Sequence, residues 1–344
     1  MAAPASASAS ALRRALLYVP ASSQKMLTKS LGLVSDNVTY DLEDSVTPHE
    51  KPNARQALAN HLASFSSSSS SSSSPLSSSR PPGIGEIAAR INAVSTPHAL
   101  EDIRALGREP SLEAIVIPKV NSASDLTFVS DALRHVAPGR YARDGRPVRL
   151  IALIESAQSV LNLSSICAAG VGDGVNLSGL IFAAEDFSLD LSLTRTPSLK
   201  EFLYARSAIV THARAFRLPS TIDLVCTTFR GDEGLRRLEE ECIDGNGMGF
   251  NGKQCIHPSQ VDIVQKTFAP SAEDVEWSVR VVVADEKASK GDRAGEAGRG
   301  AWTLEGKMID APVVGKAKAV VVRARQCGFD VDEMRQKWKD QEPE

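Results

Sequence analysis

Several short apolar runs in this chain stop on a polar or charged residue, and two of them stop on carboxylates: IALIE at Glu155 and LSGLIFAAED at Asp186. Either alone says little, because Asp and Glu are common beside turns. The series says more. Taken in order, the runs end at Tyr18, at Asp41, Glu43 and Asp44, at Arg90 and Asn92, at Lys119, at Glu155, at Asp186 and at His257. Glu155 and Asp186 suit a hard divalent ion such as Mg²⁺, which takes one or two protein carboxylates and completes its octahedron with water and substrate oxygen. Zinc is disfavoured, since no His/Cys cluster has suitable spacing. Such an ion would chelate a 2-oxo or 2-hydroxy carboxylate and polarise the oxygen on the carbon being made or broken. Arg90 and Lys119 could bind a carboxylate or stabilise a developing oxyanion. Alternatively, Arg90 forms a salt bridge to the acids at 41–44, and Asp41, Glu43 and Asp44 orient the basic groups or bound waters. Lys25 and Lys29, four residues apart near Tyr18, share one helix face, and on their own they read as a solvated surface.

Residues scattered this widely meet only if regular elements carry them to one place. Short β-branched or Leu-rich runs mark eight strands at 15–19, 37–41, 86–91, 114–118, 149–154, 178–182, 221–226 and 253–256. Helical patterns fall between them at 23–33, 52–63, 97–106, 123–136, 157–168, 198–216 and 231–243. This alternation predicts an α/β chain, a (β/α)8 TIM barrel over 13–270, in which the C-terminal strand ends converge on one mouth. An open doubly wound sheet is the runner-up, but no G-x-G-x-x-G follows the first strand.

Residues 64–83 break the rhythm. The Ser-rich tract at 64–79 has too little apolar surface to offset the entropy of ordering it, which predicts a disordered insertion on the face of the barrel away from the mouth. A phosphorylated switch is the other reading of this tract. Beyond the barrel, 271–330 reads as a helical and hairpin extension, with a mobile loop at 290–300, and 331–344 as a charged tail that frays. Residues 1–12 read as a flexible extension. They are Ala/Ser-rich and acid-free, and Arg13 and Arg14 follow. That is the composition of a mitochondrial presequence, and it leaves the compartment open between matrix and cytoplasm.

The 344 residues carry 39 basic and 42 acidic side chains, a formal charge of −3. A chain so nearly neutral has no global field to recruit nucleic acid or an anionic membrane, so any anionic ligand must be held by a local cluster. No apolar run is long enough to span a bilayer. Five cysteines, odd in number and widely spaced, read as reduced thiols in an intracellular protein.

The motifs RRALLYVP (13–20), DLEDSV (41–46), RIN (90–92), IPK (117–119), ALIES (152–156), AEDF (184–187), GKQCIHPSQ (252–260) and GKMIDAPVV (306–314) resemble those of the HpcH/HpaI aldolase/citrate lyase β-subunit family. The resemblance runs from Arg13 to about Cys327 and matches in order and spacing. It implies a barrel that cleaves or forms a C–C bond beside a CoA thioester with the help of Mg²⁺. Carried over by position, Glu155 and Asp186 resemble the metal ligands, and Arg90 the arginine that contacts substrate. Tyr18, Lys25, Lys29, Ile256 and His257 resemble acyl-CoA contacts. Asp310 resembles a catalytic acid/base supplied by the C-terminal segment, which in several members covers the barrel of a neighbouring subunit. A homotrimer or other homo-oligomer is therefore expected.

The activity this implies is an Mg²⁺-dependent lyase that splits an acyl-CoA such as citramalyl-CoA into pyruvate and acetyl-CoA. The alternatives are malyl-CoA or methylmalyl-CoA chemistry, thioester hydrolysis or a malate-synthase-like condensation at the same site, a CoA-independent pyruvate aldolase, and a non-catalytic acyl-CoA-binding subunit. The Ser-rich insertion and the long 290–300 loop depart from the family pattern, and neither touches a matched motif.

Overall fold

A computed structural model describes residues 12–67, 80–142, 145–172, 174–290 and 301–343. They pack as two compact units, Met1–Phe268 and Ala269–Glu344. In the first, eight parallel strands close into a barrel in sequence order: β1 (Ala15–Pro20), β2 (Asn37–Asp41), β3 (Ile87–Arg90), β4 (Ala114–Ile117), β5 (Arg149–Ile154), β6 (Leu177–Phe182), β7 (Ser220–Asp223) and β8 (Gly252–Cys255). The helices between them are α1 (Gln24–Ser30), α2 (Lys51–Ser67), α3 (His98–Leu106), α4 (Ala123–Val136), α5 (Ala157–Leu161), α6 (Leu163–Val171), α7 (Ala184–Leu191), α8 (Leu203–Ala215) and α9 (Gly231–Gly247), with α10 (Val261–Thr267) closing the unit. The expected (β/α)8 architecture is present.

Side-chain alternation along each strand builds two cores. Leu16, Ala88, Ala114, Val116, Ile151, Leu153, Ile181 and Ile222 fill the barrel interior. Their strand neighbours, among them Leu17, Val38, Ile115, Leu150 and Leu180, pack outward against the helices. Strands buried on both faces read as near-continuous apolar runs, which is why they stand out in the sequence. Gly252 is required where β8 closes on β1, because a Cβ there would lie 1.9 Å from the carbonyl oxygen of Arg13.

The N-terminal end of the barrel is tied by ions. Arg13 pairs with Glu86 at 2.6 Å and donates to the Ser178 carbonyl, and Arg149 reaches Glu86 at 2.9 Å. Arg14 pairs with Asp36 at 2.8 Å. The two arginines of the presequence-like stretch are thus parts of the fold.

Several boundaries differ from the sequence reading. The helix at 157–168 breaks at Asn162, whose side chain donates to the Asn121 carbonyl and separates α5 from α6. The short helix α7 had no place in the reading, because its eight residues scarcely exceed two turns. β7 ends at Asp223 rather than 226. The Ser-rich tract begins in order: α2 continues through Ser67, and only 68–79 lie outside the described residues, as do 291–300 of the expected mobile loop. The chain returns at Arg80, which pairs with Glu113 at 3.1 Å, and Ile84 bridges Ser35 ahead of β2, so the insertion leads into the N-terminal side of the sheet.

The second unit has its own core of Val275, Val279, Leu304, Ile309, Val314 and Val321. α11 (Ala272–Lys290) packs on α12 (Ala311–Gln326), and β9 (Ala301–Leu304) pairs antiparallel with β10 (Lys307–Asp310). Glu305 and Gly306 both have positive φ in the two-residue turn, the backbone that matches hairpin twist. The fraying expected from 333 onward is not found among the described residues. Val331–Lys337 form α13, capped by Asp330 and tied to α11 by Arg335–Glu286 at 2.7 Å and Trp338–Glu276 at 2.8 Å.

Candidate active site

Every expected barrel residue lies at or just beyond the C-terminal end of its strand. Tyr18 is near the end of β1, Asp41 and Arg90 are the last residues of β2 and β3, and Lys119 and Glu155 follow β4 and β5. Asp186 departs slightly from the expected strand end. It sits in the first turn of α7, where the positive end of the helix dipole favours a carboxylate.

A cavity of about 420 Å³ opens at the mouth, lined by Tyr18, Asp41, Asp44, Arg90, Asp186 and Ile256 among others. That volume suits a small organic acid. Arg90 grips Asp41 through two bonds of 2.7 Å, lies 3.1 Å from Glu43 and 3.3 Å from Asp44, and stacks 4.8 Å from the Tyr18 ring. The salt bridge that was one of the two readings of Arg90 is formed, and Arg90 still faces the cavity. Lys119 donates its ammonium to Glu43 and lies 3.8 Å from Asp44 and 3.9 Å from Asp186, while its backbone N–H donates to Glu155.

The charges explain the titration of the mouth. Burial alone would raise Asp41, but the Arg90 guanidinium and the N–H groups of Glu43 and Ser45 hold it below the usual range. Glu155 is 4 % exposed; burial first, and the charge of Asp186 second, push it up to about 7. Glu43 is also raised, mainly by burial, and its Oε2 finds no hydrogen bond despite the nearby guanidinium. Burial opposes the charge of Lys119, yet Glu43 lifts it to about 12.

Among the described residues no three His, Cys, Asp or Glu side chains are grouped to hold a metal by themselves. Glu155 and Asp186 form instead a pair of oxygen donors whose mutual repulsion a divalent cation would relieve. A partial shell of this kind fits Mg²⁺ and leaves positions for water and substrate oxygen.

The remaining expectations separate. Lys25 and Lys29 are exposed on α1, the helix that follows β1 on the mouth side. Ile256 lines the cavity, whereas His257 is exposed and stacks on Phe229 with ring centroids 5.1 Å apart. Asn92 is turned to structure, donating twice to the buried Asp102. Asp310, in the second unit, caps α12 by accepting from the Val313 N–H at 3.1 Å. The sequence reading missed Gln254, which accepts from Tyr18 at 3.0 Å and donates to the Phe182 and Asp223 carbonyls, so it ties three strands beneath the cavity. It missed Glu185 as well, a lining residue paired with Arg195. Gln254 lies inside the GKQCIHPSQ motif, and strand alternation there would have pointed it inward.

A closed parallel barrel with an acidic, arginine-bearing mouth has the layout of an enzyme that handles small oxygenated acids. The chain belongs to the HpcH/HpaI aldolase/citrate lyase family, whose profile matches residues 14–258. Within it, the chain is 33 % identical over 317 residues to "Citramalyl-CoA lyase, mitochondrial" of Homo sapiens, covering 91 % of this chain and 85 % of that one. It is 29 % identical to a "(3S)-malyl-CoA thioesterase" of Cereibacter sphaeroides, over 90 % of this chain and 94 % of the other. The crystal structure of CitE from Mycobacterium tuberculosis in complex with magnesium, acetoacetate and coenzyme A superposes with a TM-score of 0.66 at 28 % identity, over 93 % of this chain and 99 % of that one.

Proposed function

We propose that this chain is an Mg²⁺-dependent carbon–carbon lyase that splits citramalyl-CoA into pyruvate and acetyl-CoA. The observation that carries the reading is the convergence of Asp186 and Arg90 on one small cavity, with the buried Glu155 close enough to feel the charge of Asp186, in a chain related along nearly its whole length to a citramalyl-CoA lyase. Glu155 and Asp186 would hold Mg²⁺, which when bound supplies Lewis-acid polarisation of the substrate's hydroxyl and adjacent carboxylate.

The chain's own side chains do the rest. As the hydroxyl passes its proton to water, the new carbonyl forms, the C–C bond breaks, and the electron pair passes to the thioester as an enolate. Arg90 stabilises that oxyanion. All three of its nitrogens are engaged by acids, so the oxyanion displaces the most exposed of them, Asp44. Asp41 keeps the guanidinium in place meanwhile. Asp310 returns a proton to the enolate carbon, giving acetyl-CoA, and in the reverse direction abstracts it. Lys25 and Lys29 meet the phosphates of CoA, with Tyr18, Ile256 and His257 along the acyl-CoA path.

The chain acts as a homotrimer or another homo-oligomer in this reading, with the segment that carries Asp310 serving a neighbouring barrel. Its compartment is the mitochondrial matrix or the cytoplasm. The acid-free residues 1–12 and the mitochondrial relative favour the matrix, and imaging of a C-terminally tagged full chain decides.

The purified chain should release pyruvate and acetyl-CoA in equal amounts from citramalyl-CoA with Mg²⁺, and almost none in EDTA. A second reading is favoured by the malyl-CoA thioesterase relative. Free CoA without a 2-oxo acid, or preference for malyl-CoA, would establish it in place of the first.

A further inference from the structure

Lys119 has φ of +53°, in the left-handed region that a residue with a Cβ seldom enters. Such backbone persists where the surroundings over-determine it. Here two groups of one residue reach two different carboxylates. The turn lets the chain leave β4 while the Lys119 amide points across to Glu155, and the side chain places its ammonium against Glu43, 3.8 Å from Asp44 and 3.9 Å from Asp186.

We propose that Lys119 is a positioning residue for the cation site. Its left-handed backbone orients Glu155, and its ammonium, bonded to Glu43 and near both Asp44 and Asp186, offsets the negative charge of the mouth so that an anionic substrate can approach the cation. The proposal rests on the reading of Glu155 and Asp186 as the pair that holds the metal.

The two functions separate on substitution. Gly and Asn accept positive φ, so K119G and K119N keep the amide bond to Glu155 and lose only the charge. Ala resists positive φ and lacks the ion pairs that hold Lys119 there, so K119A relaxes the turn and swings the amide away. Removing the ammonium also leaves the mouth more acidic, which attracts a cation and repels an anionic substrate.

The test is Mn²⁺ binding to the purified full-length chain by electron paramagnetic resonance, paired with acyl-CoA kinetics and thermal melting. K119G and K119N should bind Mn²⁺ at least as tightly as the parent chain but with a raised KM for acyl-CoA, which K119R restores. K119A should bind Mn²⁺ at least about tenfold more weakly than K119G, the loss typical of a group that orients a metal ligand. If melting shows that K119A does not fold, K119M, which keeps the packing of the stem, replaces it in the comparison. Equal Mn²⁺ affinity in the Gly and Ala (or Met) chains, or an unchanged KM in K119G, overturns the proposal while the cation site stands. A parent chain that binds no Mn²⁺, or binds it as well after Glu155→Ala, fails the site itself and the role of Lys119 with it.

Discussion

Glu155 is buried within the field of Asp186, where a carboxylate is least comfortable without a further counter-charge. Replacing either with Ala should lower Mg²⁺-dependent turnover by about a thousandfold or more, given that Lewis-acid stabilisation is worth several kcal/mol. Thermal melting of the Glu155 variant should be unchanged or slightly higher, because a strained charge is removed; a variant with normal turnover in EDTA would end the metal reading. In the proposed reading Lys25 and Lys29 work at longer range. Charge-neutral replacements should weaken acyl-CoA binding without touching Mn²⁺ affinity, and the deficit should shrink in high salt. Identical CoA affinities would return both lysines to a solvated helix face. At this scale the sequence showed which residues end strands, and so named most of the mouth. It could not show which of the two offered partners Arg90 takes, nor that Asn92 turns away to Asp102, since those depend on distances across the barrel.

The strands were legible because burial on both faces writes a continuous apolar signal, and the breaks between helices were not, because single side-chain bonds set them. Asn162 interrupts a helical pattern only through its bond to the Asn121 carbonyl, a contact from another element. Glu86 shows how strongly such cross-element bonds tie the strand starts. Burial alone would raise its pKa, but Arg13, Arg149 and Asn37 overcome that and bring it down to about 2. A carboxyl depressed in the folded state stabilises fully above its unfolded value near 4.5 and loses that contribution as pH falls through 2. The linkage amounts to roughly 3 kcal/mol. Glu86→Gln should therefore lower urea stability most at neutral pH, and the gap from the parent should narrow between pH 5 and pH 2. A gap independent of pH would mean that the buried ion cluster does not contribute in this way. The Ser-rich segment is the contrasting case. Deleting 68–79 joins the end of α2 to Arg80 at the N-terminal side of the sheet, and loop closure varies slowly with length. Turnover and melting temperature should change little, and a large loss of turnover would reveal a regulatory role for the tract.

Over the whole molecule, the proposed reaction draws on both compact units, since the mouth residues belong to Met1–Phe268 and Asp310 belongs to Ala269–Glu344. The charged end of the chain was misread as fraying because composition alone does not reveal that Asp330 caps α13 or that Trp338 bonds to Glu276. The capping role of Asp310 now determines how its chemistry is tested. Asp310→Ala would remove the cap of α12 as well as the acid, at about 1 kcal/mol of stability, and would confuse the two. Asp310→Asn keeps a side-chain oxygen for the Val313 N–H and removes only the proposed proton shuttle. That chain should melt like the parent and bind Mn²⁺ and acyl-CoA normally, yet turn over at least a hundredfold more slowly, about the contribution of one general acid or base. Mixing it with an Asp186→Ala chain under conditions of subunit exchange asks where Asp310 acts. If it serves a neighbouring barrel, some mixed assemblies pair an intact cation site with an intact Asp310, and part of the activity returns. Activity that stays at the level of the two parents, in mixtures shown by mass to have exchanged, would place Asp310 at the barrel of its own chain or outside catalysis altogether.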